Sequence, residues 1–276
     1  MTSPIRLESA SLTDPGVVRS FNEDSVVSDD SLGLFVLADG MGGYKAGDIA
    51  SKMASAAIVE DLKRVLAEDS GAPIPAGSGL SRQGQALRNA VERANRAIYR
   101  TAQSDSGCHG MGTTVVALLL HEGRATVAHV GDSRLYRLRH GRFELLTHDH
   151  SLLQEQVELG LITSDEAKIS HNRNLVTRAL GVAQEVDVDV REEAAVPGDV
   201  YLLCSDGLND MVDEADIDLA VAELNANLPL TANQLVQMAN DNGGHDNISV
   251  LVVKVVDQAA AARSLADRLF GWLRMF

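Results

Sequence analysis

Apolar positions along the chain follow two rhythms. Short continuous apolar runs bounded by Gly, Asp or charged residues predict strands at 34–38, 113–120, 124–130, 134–138, 142–146, 200–204 and 248–256. Val186, Val188 and Val190 alternate with acids, the pattern of an edge strand with one wet face. Apolar residues at helical spacing predict helices from Gly47 through Leu66, around Leu87, Val91, Ala94 and Ile98, at 215–224 and at 232–240. A Gly-, Pro- and Ser-rich stretch at 69–81 separates the first two helices as a loop. His121-Glu122-Gly123 and His140-Gly141 read as short turns, so the strands they join run antiparallel. Residues 151–161, 164–169 and 174–180 read as short helical pieces with polar joints, an irregular region outside the sheets. Antiparallel strand runs with helices inserted in pairs, rather than strict strand–helix alternation, imply an α+β fold of two packed sheets flanked by helices.

Composition narrows the function classes. With 45% apolar and 23% charged residues among 276, the chain has material for a sizeable core. Its formal net charge of -15 repels polyanions, since nucleic-acid affinity comes largely from Lys and Arg neutralising phosphates; DNA and RNA are excluded as expected partners. The two cysteines, Cys108 and Cys204, offer neither a disulfide framework nor zinc spacing, which suits a reducing compartment. The first residues lack a charged lead followed by an apolar run, and no stretch approaches the roughly 18 apolar residues that span a bilayer. A cytoplasmic location is expected.

Four acidic segments change the picture: Ala38-Asp39-Gly40, Gly131-Asp132-Ser133, Ser205-Asp206-Gly207 and His245-Asp246-Asn247 each set an aspartate beside Gly, Ser or Asn at the edge of an apolar strand. One Asp-Gly is ordinarily a turn. Four carboxylates converging from strand ends repel one another unless a cation sits among them. An oxygen donor set without a His/Cys cluster favours Mg²⁺ or Mn²⁺ over zinc. Two such ions sharing a carboxylate, about 3.5–4 Å apart, acidify a bridging water and stabilise an in-line phosphoryl displacement. Glycine after Asp39 permits close backbone approach, so the Gly40 carbonyl is a candidate ligand.

Six segments in order, Arg19-Ser20-Phe21-Asn22-Glu23-Asp24, Ala38-Asp39-Gly40-Met41-Gly42-Gly43, Gly112-Thr113-Thr114, Gly131-Asp132-Ser133-Arg134, Ser205-Asp206-Gly207-Leu208 and Gly244-His245-Asp246-Asn247, resemble the motifs of bacterial PP2C-type (PPM) phosphatases over roughly residues 8–256. The resemblance implies a four-layer α-β-β-α sandwich, a phosphatase domain at 1–257, and a flap subdomain at 150–180 beside the metal centre. It implies hydrolysis of phosphoserine and phosphothreonine in proteins phosphorylated by a serine/threonine kinase. Asp39 then bridges two metals, the Gly40 carbonyl binds one, and Asp206 and Asp246 bind the other. Asp132 helps Asp206 hold a third, weaker ion, while Glu23, Asp24 and Asn247 orient ligands and metal-bound waters from behind. Arg19 takes the phosphate through the bidentate fork of its guanidinium. Two other readings share the motifs: a catalytically inactive phosphoprotein-binding module, and a small-molecule phosphomonoesterase.

The sequence departs from the family's pattern at the proton donor. Met41 stands where animal relatives carry a His after Asp-Gly, and Tyr44 with Lys45 where many bacterial relatives have a His after the double glycine. Methionine transfers no proton, so the general acid is unassigned. His109, His121, His129, His148, His150, His171 and His245 are read as structural or surface residues and His140 as a turn residue; Asn174, Arg178 and Gly181 match the family's segment after the flap without a catalytic role. Leu265, Leu269, Trp272 and Phe276 recur at helical spacing with Arg263, Arg268 and Arg274 elsewhere, giving an amphipathic helix at 258–276. That helix packs on its own domain or meets a partner or membrane surface. The protein is expected to be a monomer.

Overall fold

The central strands carry apolar residues on both faces because each sheet is covered twice, by the other sheet and by helices. The computed structural model describes residues 5–43, 46–67, 79–163, 166–167, 170 and 175–257. In chain order the elements are β1 (Ile5–Asp14), β2 (Ser25–Asp29), β3 (Leu34–Ala38), β4 (Gly40–Met41), α1 (Ala46–Ala67), α2 (Arg82–Ser104), β5 (Gly112–Thr113), β6 (Val115–His121), β7 (Arg124–Val130), β8 (Arg134–Arg139) and β9 (Arg142–Leu145). They continue as α3 (Leu152–Glu158), β10 (Asp189–Ala194), β11 (Val200–Cys204), α4 (Asp206–Asn209), α5 (Glu214–Leu224), α6 (Leu228–Asp241) and β12 (Ile248–Asp257). Two five-stranded antiparallel sheets form, ordered β1-β12-β11-β8-β9 and β10-β7-β6-β3-β2, with a small β4-β5 pair beside them.

Side-chain alternation sorts each strand between two cores. Phe35, Leu37, Val116, Leu118, Tyr201, Leu203, Leu251 and Val253 fill the space between the sheets. The intervening residues point outward: Leu34, Val36 and Ala117 meet Ile58 and Leu62 of α1 and Leu87 and Ile98 of α2, while Leu202, Val250 and Val252 meet Ile217 of α5 and Leu235 of α6. This is the expected α-β-β-α order. Helix α2 starts where the Ser81 side chain accepts from the Gly84 N–H at 3.0 Å. No helix among the described residues is long and apolar enough to cross a membrane.

Several local expectations need correction. Strands β1 and β2 were not legible: in β1 Leu7 faces the inter-sheet core while Ala10 and Leu12 face the helices, and intervening serines blur the period. Residues 175–180 are extended rather than helical, pinned by bridges Ser151↔Val176 and Thr113↔Leu180. The edge strand begins at Asp189 rather than Val186, its register set by Asp189↔His129. The run at 113–120 breaks at Thr114, whose hydroxyl accepts from the Asp39 N–H at 3.2 Å. Both turns form with paired positive φ, 50° and 74° at Glu122-Gly123 and 52° and 76° at His140-Gly141, the geometry that matches strand twist. Between those hairpins the chain changes sheet: β7 lies in one and β8 in the other, joined through Gly131-Asp132-Ser133. The amphipathic stretch 258–276, Tyr44, Lys45, His171 and Asn174 lie outside the described residues.

Candidate metal centre

The antiparallel registers bring several strand ends to one rim of the sandwich. Ser25 pairs with Ala38 and Val115 with Val130, so Asp24, Asp39 and Asp132 leave the same end of one sheet. Cys204 pairs with Val250, which sets Asp206 and Asp246 at the matching end of the other. The rim encloses a cavity of about 230 Å³ lined by Asp39, Asp132, Asp206, Asp246, Glu23 and Arg19, among others. All the acids expected at the centre except Asp24 and all of its expected metal-binding residues, Gly40 included, line this one space.

The carboxylates oppose one another. Burial first, then the charges of Asp24, Asp206, Asp132 and Asp246, push Asp39 well above the usual carboxylate range. Asp206 rises for the same reasons, with Asp132 and Asp210 as its leading charged neighbours. Burial lifts Asp132 to about 6, assisted by Asp149. Burial also lifts Asp24 to about 6 against the pull of Ser249 and Ser205 hydroxyls. The Ser205 hydroxyl donates to Asp24 Oδ2 at 3.0 Å, but buried Asp24 Oδ1 has no hydrogen-bond partner among the described residues. An oxygen donor set under mutual repulsion, with an orphaned carboxylate oxygen behind it, fits a hard divalent cation.

Backbone fit is equally restrictive. A β-carbon on Gly40 would lie 2.2 Å from the Gly47 carbonyl oxygen and 2.5 Å from that of Glu23, so the backbone can pass along the cavity wall here only without a side chain. Thr113 Oγ1 and the Thr114 N–H donate to the Asp39 carbonyl at 2.7 and 2.8 Å, fixing the residue's backbone. Asn247 is 6% exposed and clasps the rim: its Nδ2 donates to the Pro15 and Phe21 carbonyls and its Oδ1 accepts from the Glu23 N–H at 2.8 Å. Arg19 donates from Nη2 to Asp246 Oδ2 at 2.7 Å, which raises its pKa further. It sits at the mouth with its guanidinium half-exposed.

Met41 lines the cavity and, among the described residues, no histidine does. Of the histidines, His129 and His150 are buried and stacked on each other, away from the cavity lining. Thr114 and Val176 also line it; Thr114 stood within a recognised motif, whereas nothing in the local pattern marked Val176. A larger groove of about 690 Å³ shares Asp132 and Asp206 with the cavity and runs between Leu153 and Val157 of α3 on one side and residues Asp210 to Ala215 on the other.

Residues 18–240 match the family described as protein phosphatase 2C. The chain is 36% identical over 245 residues to serine/threonine phosphatase stp of Listeria monocytogenes, covering 88% of this chain and 93% of that one. It is 34% identical over 260 residues to protein phosphatase PhpP of Streptococcus pneumoniae, covering 92% and 100%. The crystal structure of the Mycobacterium tuberculosis serine/threonine phosphatase PstP/Ppp superposes with a TM-score of 0.80 at 36% identity, covering 91% of this chain and 99% of that one. A PstP catalytic domain in complex with two manganese ions gives 0.78 at 35% identity, covering 92% and 100%. With its motifs converging on one oxygen-lined cavity and these relatives matching along most of its length, the chain belongs to the protein phosphatase 2C family.

Proposed function

We propose that this chain is a metal-dependent protein serine/threonine phosphatase, hydrolysing phosphoserine and phosphothreonine monoesters with Mn²⁺ or Mg²⁺. The observation that carries the reading is the convergence of Asp39, Asp132, Asp206 and Asp246 with Arg19 on one cavity. Asp39 would bridge two ions, the Gly40 carbonyl would complete one, Asp206 and Asp246 would hold the other, and Asp132 with Asp206 would take a third. When bound, the ions would supply an acidified water for hydrolysis of the phosphomonoester. Arg19 orients the phosphoryl oxygens, and Asp246 keeps its guanidinium at the cavity mouth. Glu23, Asp24 and Asn247 hold the ligand-bearing loops. Met41 supplies no proton, so the leaving alkoxide is protonated by another group.

The groove that opens from the same carboxylates supports a polypeptide rather than a small metabolite as substrate, because it gives the chain on either side of a phosphoresidue somewhere to lie. The full carboxylate set argues against an inactive binding module. We place the protein in the cytoplasm as a monomer acting on products of a serine/threonine kinase, with residues 150–180 as the flap. The amphipathic spacing of residues 258–276, which lie outside the described residues, supports packing on the domain or contact with a partner or membrane surface.

Hydrolysis of p-nitrophenyl phosphate and of a phosphothreonine peptide should require Mn²⁺ or Mg²⁺ and stop on addition of EDTA. Asp39→Asn should lower kcat by at least about 100-fold on both substrates. Turnover that survives chelation rules out the mechanism; turnover confined to small phosphoesters rules out the protein substrate.

A further inference from the structure

His150 lies outside the cavity lining, yet it is only 4% exposed and both ring nitrogens are engaged. Its backbone N–H donates to the Gly131 carbonyl at 3.0 Å, and its carbonyl accepts from the Thr177 N–H at 2.8 Å. The Gly131 N–H in turn meets the ring at Nδ1, 3.0 Å away. A backbone N–H can only donate, so Nδ1 is the acceptor and the ring proton sits on Nε2, facing Asp189 Oδ2 at 3.1 Å. Arg178 Nη1 lies 3.2 Å from the other oxygen of Asp189 and 3.1 Å from His150 Nε2; since Nη1 and Nε2–H are both donors, the carboxylate between them is what each bonds, and His129 stacks on the ring at 4.8 Å with a 13° interplanar angle.

His129, His150 and Asp189 bring candidate metal-ligating atoms within 4.8 Å of one another. Neither nitrogen of His150 has a lone pair to offer, because Nδ1 is used by Gly131 and Nε2 carries the proton. His129 Nε2 faces the His148 carbonyl at 2.8 Å, and with both nitrogens of His150 engaged the trio falls short of three ligands. The trio is a hydrogen-bonded latch, and what it grips is Gly131, the residue before Asp132.

Gly131 has φ of 107°, and a β-carbon there would fall 2.6 Å from Thr114 Cβ, so only glycine fits at this position, and His150 holds both its N–H and its carbonyl. Asp132 is carried on that peptide as the chain crosses from one sheet to the other. We propose that His150 is a positioning residue that aims the Asp132 carboxylate at the third, weakest divalent ion. The inference rests on the reading of Asp132 as a ligand of that ion.

Two isosteric variants separate positioning from bulk structure. In His150→Asn the side-chain oxygen falls near the place of Nδ1 and still accepts from Gly131. In His150→Gln the amide reaches toward Asp189 and leaves the Gly131 N–H unpaired. Mn²⁺ titration of the full chain by calorimetry, after chelation, should show the weakest step weakened by about 10–100-fold in His150→Gln and by no more than about threefold in His150→Asn, the tighter steps being unchanged in both. Asp189→Asn, which loosens the ring without touching Gly131, should weaken the same step severalfold and serves if His150→Gln fails to fold. Equal effects of the Asn and Gln variants, or a parallel loss of all steps with a lower Tm, overturn the proposal. Asp132→Asn is the separate check: if it leaves every step intact, the reading of Asp132 fails and the proposal falls with it. If it removes the weakest step while His150→Gln and Asp189→Asn do not weaken it, only the role of His150 is lost.

Discussion

At Gly40 the absence of one β-carbon leaves the backbone room to pass between the Gly47 and Glu23 carbonyls, where an added methyl would sit 2.2 and 2.5 Å from oxygen. Gly40→Ala is therefore expected to cost about 1–3 kcal/mol of stability in the metal-free protein and to weaken Mn²⁺ binding, measured by thermal unfolding with and without metal. The acids nearby make metal affinity depend on pH with a definite sign. Asp24 and Asp132 are raised from 3.8 to about 6 in the fold. A carboxyl raised by folding favours the native state fully below its unfolded value, and that contribution is lost as pH rises through about 6. Divalent cations must displace those protons, so the rise in Tm produced by Mn²⁺ should be small at about pH 5 and grow toward about pH 7.5. A metal-induced rise that stays constant over that range would contradict this electrostatic picture. At this scale the sequence was informative: Asp39, Gly40, Asp206 and Asp246 stood out because each sits beside small or polar residues at a strand edge. Val176 did not, since beside Leu175 in a short apolar pattern it reads as packing rather than as a cavity lining.

At the scale of elements, packing explains which patterns were legible. Strands β3, β6, β11 and β12 are buried on both faces, and their continuous apolar runs stood out in the sequence. Phe35 is fully buried between the sheets, and Phe35→Ala should cost about 3–5 kcal/mol, read by chemical denaturation, with the spread set by how far Leu118 and Leu203 can collapse into the void. Strands β1 and β2 have weaker patterns because they lie at sheet edges, where one register partner is missing and serine or aspartate is tolerated. Residues 175–180 carry a spacing compatible with a helix, but backbone pairing to Ser151 and Thr113 overrides local propensity.

For the whole molecule, charge and topology set the limits. A net charge of -15 includes a concentrated patch at the metal centre, which bound cations neutralise in part. Both sheets and the carboxylate cluster lie within residues 5–257, so a chain ending at Asp257 should hydrolyse p-nitrophenyl phosphate within about twofold of the full-length rate. If the truncated chain also keeps its cellular distribution, the proposed surface contact of 258–276 is ruled out. By itself the sequence determined the α+β class, the two-sheet architecture, the hairpin turns and which strand-edge acids converge on the cavity, because these follow from residue chemistry and local periodicity. Tertiary structure alone decided that β7 and β8 part into different sheets at Gly131-Asp132-Ser133, and that the Gly131 peptide is held by a histidine from a separate segment. Those contacts join residues 19 apart, as from Gly131 to His150, or 227 apart, as from Arg19 to Asp246. No local rhythm encodes such pairings; antiparallel registers and burial bring them together.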